Sequence, residues 1–157
     1  MSRVEKFKKI LKENIKNYKN ILELLDYISR QIKYKGIYEK IKKSNTLSLE
    51  EKILISSYFH NFSLLIDILI NKLLRSIAYL EYEEGKTKRD LIIWAEKMGF
   101  VEKESILGEL LDLRNLIAHE YNNLDKVQEI MEVLLENEKN LYLIFENIKK
   151  YLSKNRL

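Results

Sequence analysis

The sequence predicts an all-α fold: an antiparallel bundle of four to five helices with one or two additional short helices, in a single domain over residues 1–157. Three observations support this. The chain has no proline and only four glycines, whereas β-sandwiches and barrels need many turns. Hydrophobic residues make up 46%, which suffices for one core at this length. Apolar residues also recur at helical spacing over long stretches.

The first predicted helix runs from about Arg3 to Tyr34, and a short helix over Ile37–Lys43 follows it. Gly36 between them is typical of a left-handed helix end. The first helix carries an apolar stripe with heptad-like spacing. The stripe consists of Val4, Phe7, Leu11, Tyr18, Ile21, Leu25, Ile28 and Ile32. It fits an internal core or part of a dimer interface, and the sequence leaves both open.

The next long helix begins at a capping box, in which Ser48 and Glu51 satisfy each other's free backbone N–H groups. It extends to about Leu80, a length of roughly 50 Å. From Phe62 to Leu74 it is apolar over most of its circumference. We therefore expect it to be the central helix of the bundle.

Three further helices complete the prediction. Thr87 caps a shorter helix that ends near Gly99, a fourth long segment covers Ser105–Glu120, and the last covers Leu124–Ser153. The pair Asn122-Asn123 breaks or bends the chain between the last two. Short connections between long amphipathic helices are typical of an antiparallel bundle.

The residue counts exclude several classes of site. Without cysteine there is no disulfide scaffold, no cysteine nucleophile and no thiolate zinc site. Two histidines, His60 and His119, are too few for a multi-histidine metal centre. We therefore expect no metal and no cofactor.

The most apolar segment is interrupted by polar residues, so we expect no membrane-spanning helix. The interrupting residues are Asp67, Asn71, Lys72 and Arg75. The polar, basic N-terminus does not resemble a signal peptide. The sequence thus predicts a soluble, cytoplasmic protein.

Positive charge is concentrated at the start of the chain. The net charge is +4, but residues 1–45 hold 13 Lys and Arg against 5 Asp and Glu. This basic segment fits a solvated helix face, a surface that follows nucleic-acid phosphates, or a docking site for an acidic protein. Only six of the 28 basic residues are arginine, so each arginine stands out against a lysine background.

The fourth long helix carries two polar stripes beside its apolar face. One stripe consists of Asp112, Asn115 and His119, and the other consists of Arg114, Ala118 and Tyr121. Asn115, one turn before His119, is placed to orient the imidazole. On a regular helix Arg114 and His119 point about 140° apart. Either the helix ends near His119, or a second copy of the chain completes the site.

A histidine and an arginine in one cleft suit chemistry on a phosphodiester. The histidine can take the proton from a ribose 2′-hydroxyl, and the arginine can hold the phosphate and its developing charge. The alternative is structural: Arg114 would pair with a carboxylate, and His119 would cap the end of its helix.

The pattern Arg114-x-x-x-x-His119-x-Tyr121, with Asn115 directly after the arginine, resembles the HEPN superfamily. The tyrosine is similar to that of the HepT-type toxin branch. The resemblance implies a HEPN-like helical domain and a metal-independent endoribonuclease, active at a homodimer interface, with Arg114 and His119 as the catalytic pair. It also implies a small nucleotidyltransferase antitoxin as partner, which can silence the toxin by attaching AMP to Tyr121.

Asp112 and Asn115 are the expected supporting residues, together with Asp67 on the central helix. Asp67 lies among apolar neighbours, and an unpaired buried charge is very costly. We therefore expect Asp67 to orient Arg114 or His119. His60 belongs to a polar stripe on the same helix that fits an ordinary polar face. The stripe consists of Ser56, His60, Ser63, Asp67 and Asn71.

Two other functions remain open on the sequence. The chain can be a non-catalytic subunit that binds nucleotide or substrate for a minimal nucleotidyltransferase, or a purely structural dimerisation bundle. In the first case the purified protein cleaves no RNA but forms a stable complex with its partner.

Overall fold

The protein is a bundle of α-helices. The computed structural model describes residues 2–43, 45–81, 85–120 and 124–155, with the backbone alone at residues 120, 124 and 125. The described residues form helices and their connections, with no strand among them. The elements are α1 (Arg3–Tyr34), α2 (Ile37–Lys42), α3 (Leu49–Asp67), a π-helix (Ile68–Leu74), α4 (Arg75–Leu80), α5 (Lys88–Lys97), α6 (Glu104–Glu120) and α7 (Leu124–Lys154). The all-α class and the predicted helices are confirmed, with ends within about two residues.

Local sequence signals set the helix ends. The Ser48 hydroxyl accepts from the backbone N–H of Glu51, while the Glu51 carboxylate accepts from that of Ser48, as a capping box requires. Thr87 caps α5 in the same way. An unpredicted third capping box, of Ser2 and Glu5, starts α1. Gly36 has φ +62° and reverses the chain between α1 and α2, a conformation that favours glycine.

The central helix is continuous from Leu49 to Leu80, but it is not regular. A seven-residue π-helix, Ile68–Leu74, lies between α3 and α4, although the sequence predicts one uniform α-helix. Since a π-turn bonds residue i to i+5, side chains four positions apart no longer superpose across it. The π-helix therefore changes which side of the helix its polar residues face.

The other helices enclose this central helix. α1 packs along α3, the π-helix and α4, while α6 packs on α3 and α5 packs on the π-helix. α7 lies against α2, α3 and α6. Apolar side chains from every helix form one buried cluster among the described residues. The core of the bundle thus surrounds the central helix, as predicted.

The apolar stripe of α1 belongs mainly to this internal core. Leu11, Tyr18, Leu25, Ile28 and Ile32 are buried within the chain. Its first member, Val4, is exposed. Between the two possibilities that the sequence left open, the structure therefore assigns most of the stripe to the core.

Two buried tyrosines fasten α7 to the bundle. The Tyr18 hydroxyl donates to the carbonyl of Leu141 at 2.9 Å, and burial raises the pKa of this phenol. The Tyr58 hydroxyl donates to the Glu138 carboxylate. Burial and the nearby negative charge of Glu138 raise the pKa of Tyr58 as well. Both phenols therefore act as neutral donors that join α1 and α3 to α7.

By length and composition alone the central helix is apolar enough to cross a membrane, although the polar residues that interrupt it led us to expect otherwise. Half of its most apolar stretch is buried inside the molecule, and such burial is typical of the core helix of a bundle.

A buried carboxylate joins α2 to the start of α3. The Lys40 ammonium donates to Glu51 at 2.7 Å, and Glu51 also accepts from the backbone of Ser48. These hydrogen bonds, that from Lys40 above all, lower the pKa of Glu51 from 4.5 to about 2. A carboxylate whose pKa is lower in the folded protein than in the unfolded chain stabilises the fold at pH values above its unfolded-state pKa. This stabilisation is lost as the pH falls through the pKa of the folded state.

We predict that Glu51→Gln, which keeps the capping geometry, removes an acid-sensitive part of the stability. The stability difference between wild type and variant should be constant above about pH 4.5 and shrink as the pH falls toward 2. Urea unfolding followed by circular dichroism at several pH values measures this difference. A difference that does not change between pH 2 and 5 would contradict the assignment.

Candidate functional site

A groove lies between α3 and α6, and we call it the α3–α6 groove. It holds a cavity of about 270 Å³. Its lining residues are Ser56, Phe59, His60, Ser63, Ile117 and Ala118. Phe59 and Ile117 are buried and form an apolar floor, while His60 and Ala118 are exposed at the rim. The groove therefore offers two hydroxyls and an imidazole above an apolar base.

An ion pair between Asp67 and Arg114 lies about one helical turn beyond the lining of the groove. Arg114 Nε donates to Asp67 Oδ1 at 3.0 Å, and Arg114 Nη2 donates to Asp67 Oδ2 at 3.4 Å. Both side chains are about one third exposed, at 36% and 35%. Of the two partners predicted for Asp67, the structure has Arg114.

The pairing leaves part of the guanidinium available. An arginine carries five N–H donors in a rigid fork, and Asp67 occupies the edge formed by Nε and one hydrogen of Nη2. Nη1 makes no hydrogen bond within the described part of the chain. The carboxylate thus holds the arginine in one orientation while another edge remains free for an anion.

The position of Asp67 depends on the end of α3. Asp67 is the last residue of α3 before the π-helix, so it continues the α-helical stripe of Ser56, His60 and Ser63. Asn71 was predicted to extend that stripe, and this was wrong. Asn71 instead lines a different pocket, beside α1 and α5, because the π-helix turns it away from α6.

The predicted histidine lies on the outer face of α6. His119, Asn115 and Asp112 are all exposed, and none makes a hydrogen bond or ion pair with another described residue. The expected hydrogen bond from Asn115 that would orient His119 is therefore absent in the single chain. Asn115 and His119 are four residues apart, so their side chains lie on adjacent turns of α6, but both extend into solvent.

Arg114 and His119 do not converge within one chain. α6 is helical without interruption from Glu104 to Glu120, so the two side chains diverge by about 140° around its axis. Ala118 points in a direction between those of Arg114 and His119. Because its side chain is only a methyl group, it does not obstruct the surface between the groove and His119. Tyr121, the third motif residue, lies outside the described residues.

The sequence connected the two sides of the groove only through Asp67, which was expected to orient Arg114 or His119. The polar stripe of α3 was recognised, but nothing in the sequence showed that Ser56 and Ser63 face Ile117 and Ala118. The one available signal was the charge complementarity of Asp67 and Arg114. Within the described ranges, no three His, Asp or Glu side chains lie close enough together to hold a metal ion.

The arrangement can bind an anion at the end of a partly apolar groove. Arg114 offers a fixed guanidinium edge, and the Ser56, His60 and Ser63 side chains offer hydrogen-bonding groups at a short distance along α3. His119 offers a proton-transfer group on the adjacent outer face. A phosphate diester with an attached base or sugar combines the anionic and the partly apolar character that such a surface recognises.

We predict that the Asp67–Arg114 pair contributes a coupling energy of about 0.5–1 kcal/mol, since both groups remain partly solvated. A double-mutant cycle with Asp67→Ala and Arg114→Ala, measured by urea unfolding, gives this value. The more exposed Asp26–Arg30 pair of α1 is the matched control and should give about 0.3–0.5 kcal/mol. A coupling energy indistinguishable from zero would show that Asp67 does not hold Arg114.

No family model matches the chain, and no curated protein is significantly similar to it. The chemistry of the site and the motif in α6 are therefore the basis for a functional conclusion.

Proposed function

We propose that the protein is a metal-independent endoribonuclease that acts as a homodimer, with His119 as the proton-transfer residue and Arg114 as the phosphate clamp. The observation that carries this proposal is the Arg114–Asp67 pair. It holds a guanidinium at the end of a groove, on the same helix as an exposed histidine. The resemblance of the α6 motif to HEPN ribonucleases supports the same function.

In the proposed reaction, neutral His119 takes the proton of a ribose 2′-hydroxyl. The 2′-oxygen then forms a bond to phosphorus while the bond from phosphorus to the 5′-oxygen breaks. Arg114 stabilises the negative charge that develops on the non-bridging oxygens. A second imidazole, or water, returns a proton to the leaving 5′-oxygen, and the products are a 2′,3′-cyclic phosphate and a 5′-hydroxyl.

In the proposed homodimer, a second copy of the chain supplies the histidine that Arg114 does not meet within its own chain. The outer face of α6 carries exposed Leu116 beside His119, and the first turns of α3 carry exposed Leu49 and Ile53. Leu49 and Ile53 lie on the same side of α3 as Ser56 and His60. Both helices therefore offer exposed apolar side chains to a two-fold interface that would bring His119 of one copy toward Arg114 of the other.

The proposed cellular role is that of a toxin neutralised by a nucleotidyltransferase-type antitoxin. This part depends on the motif resemblance, which also makes Tyr121 the target for attachment of AMP. Tyr121 follows His119 by two residues in the sequence, so the resemblance implies that AMP is attached within the same motif as the proposed catalytic histidine.

One observation favours a second candidate function, a non-catalytic subunit that binds nucleotide or substrate for a minimal nucleotidyltransferase. Within one chain Arg114 and His119 do not converge, yet Arg114 lies about one helical turn beyond a groove that could hold part of a nucleotide. An ion pair of this kind is also typical of a structural arginine. Cleavage assays separate these functions.

We predict that the purified wild-type protein cleaves RNA in the presence of a metal chelator, leaving 2′,3′-cyclic phosphate ends. His119→Ala should reduce the rate by at least about 100-fold, since general acid–base catalysis contributes about 10²–10⁴. Arg114→Ala should show a similar loss because it removes stabilisation of the transition state. Gel analysis of end-labelled RNA measures both.

The control is Arg89→Ala, which removes an exposed arginine of α5 and should leave cleavage unchanged. Circular dichroism establishes that each variant keeps its helical content. Equal cleavage by wild type and His119→Ala would overturn the enzymatic proposal. Stable binding to a nucleotidyltransferase without any cleavage would favour the second candidate.

We predict that each active site takes its arginine from one copy and its histidine from the other. Equimolar mixing of inactive Arg114→Ala and His119→Ala chains should then restore about a quarter of wild-type activity. Half of the randomly formed dimers are mixed, and each mixed dimer has one intact site. Activity after co-refolding is compared with that of each variant alone. No recovery, despite mixed dimers shown by mass spectrometry, would contradict shared sites.

A further inference from the structure

A second pocket lies on the other side of the central helix, where α1, the π-helix, α4 and the start of α5 meet. It encloses about 410 Å³, within the range of about 300–1,000 Å³ that is typical of ligand sites. We call it the basic pocket. Its polar lining includes Arg3, Asn71, Lys72, Arg75 and Ser76, with the ring of Tyr79 beside them.

The two arginines of the basic pocket are held by groups other than carboxylates. Arg75 Nη1 donates to the backbone carbonyl of Lys86 at 2.8 Å. The Arg3 guanidinium lies over the ring of Tyr79, 4.8 Å from its centroid. A carbonyl and an aromatic ring fix the direction of a guanidinium without neutralising its charge.

The positive charge of this pocket is not balanced by ion pairs within the described residues. Arg30 and Arg114 each pair with an aspartate, whereas Arg3, Arg75 and Lys72 form no ion pair with a described carboxylate. Lysine is the usual cation of this chain, and two of its six arginines meet at one cavity. Arginine rather than lysine is suited to bidentate contacts with phosphate.

The aromatic group in the pocket does not offer a face for a base. Tyr79 is stacked on Phe7 with ring centroids 3.9 Å apart and planes inclined by 16°. Phe7 covers one face of the ring, and the Arg3 guanidinium also lies over the ring. Recognition in this pocket therefore depends on charge and hydrogen bonds rather than on stacking of a nucleobase.

We propose that the basic pocket binds phosphoryl groups, with Arg3, Lys72 and Arg75 as the anion-binding residues. The phosphoryl groups can belong to a free phosphorylated ligand or to the backbone of RNA, since both present the same anionic oxygens. This site does not depend on the ribonuclease proposal, because none of its lining residues belongs to the α3–α6 groove. It also assigns a role to Arg3 in the basic N-terminal segment.

The test uses sodium pyrophosphate as the probe, in isothermal titration calorimetry at low ionic strength. Wild type should bind it saturably, and Arg3→Gln and Lys72→Gln should each weaken binding by about fivefold or more. Arg75 is not changed because its hydrogen bond to Lys86 also anchors the chain before α5. Arg89→Gln, which loses the same charge on an exposed position outside the pocket, should bind like wild type.

Either of two results overturns the proposal: no saturable binding to wild type up to about 10 mM pyrophosphate, or an equal loss of binding in Arg89→Gln. A second arm measures the affinity for a short single-stranded RNA. If Lys72→Gln weakens RNA binding as well and pyrophosphate competes with RNA, the phosphates belong to RNA. If RNA binding is unchanged while pyrophosphate binding is lost, the site takes a free phosphorylated ligand.

Discussion

The fold depends on burying the apolar surface of the long central helix, which the other helices cover on almost every side. Within the helix Leu49–Leu80, the part from Phe62 to Leu74 is apolar around most of its circumference, so exposing it to water would be strongly unfavourable. α1 runs along its whole length, while α6 and α5 cover successive parts of the remaining surface. The order in which these helices meet the central helix determines where grooves form.

Polar residues on the central helix are located at the borders between the covering helices. Ser56, His60 and Asp67 border α6, whereas Asn71 and Arg75 border α1 and α5. The π-helix separates the two sets and directs the second one to a different side. One helix can therefore contribute to two chemically different sites, a groove with a paired arginine and a pocket in which Arg3, Lys72 and Arg75 form no ion pair with a described carboxylate.

The proposed catalytic groups differ in how the chain holds them. Arg114 is fixed by Asp67 and partly enclosed, as suits a group that must meet a phosphate in one geometry. His119 is exposed and has no described partner. An isolated imidazole on a convex surface has little to orient it, so a second surface must provide the enclosure that catalysis requires. This is the physical reason for proposing that the ribonuclease acts as a dimer.

The sequence by itself determined the helical class, the helix ends and the inner faces, because capping pairs such as Ser48 and Glu51 and the period of apolar residues are local properties. It also singled out Arg114, His119 and Asp67 through residue types and spacing. Only the tertiary structure decided that Asp67 meets Arg114, that the π-helix moves Asn71 away from the stripe, and that Asn115 does not bind His119. Those outcomes depend on which helices pack together and in what register, and distant segments specify that jointly through the buried core.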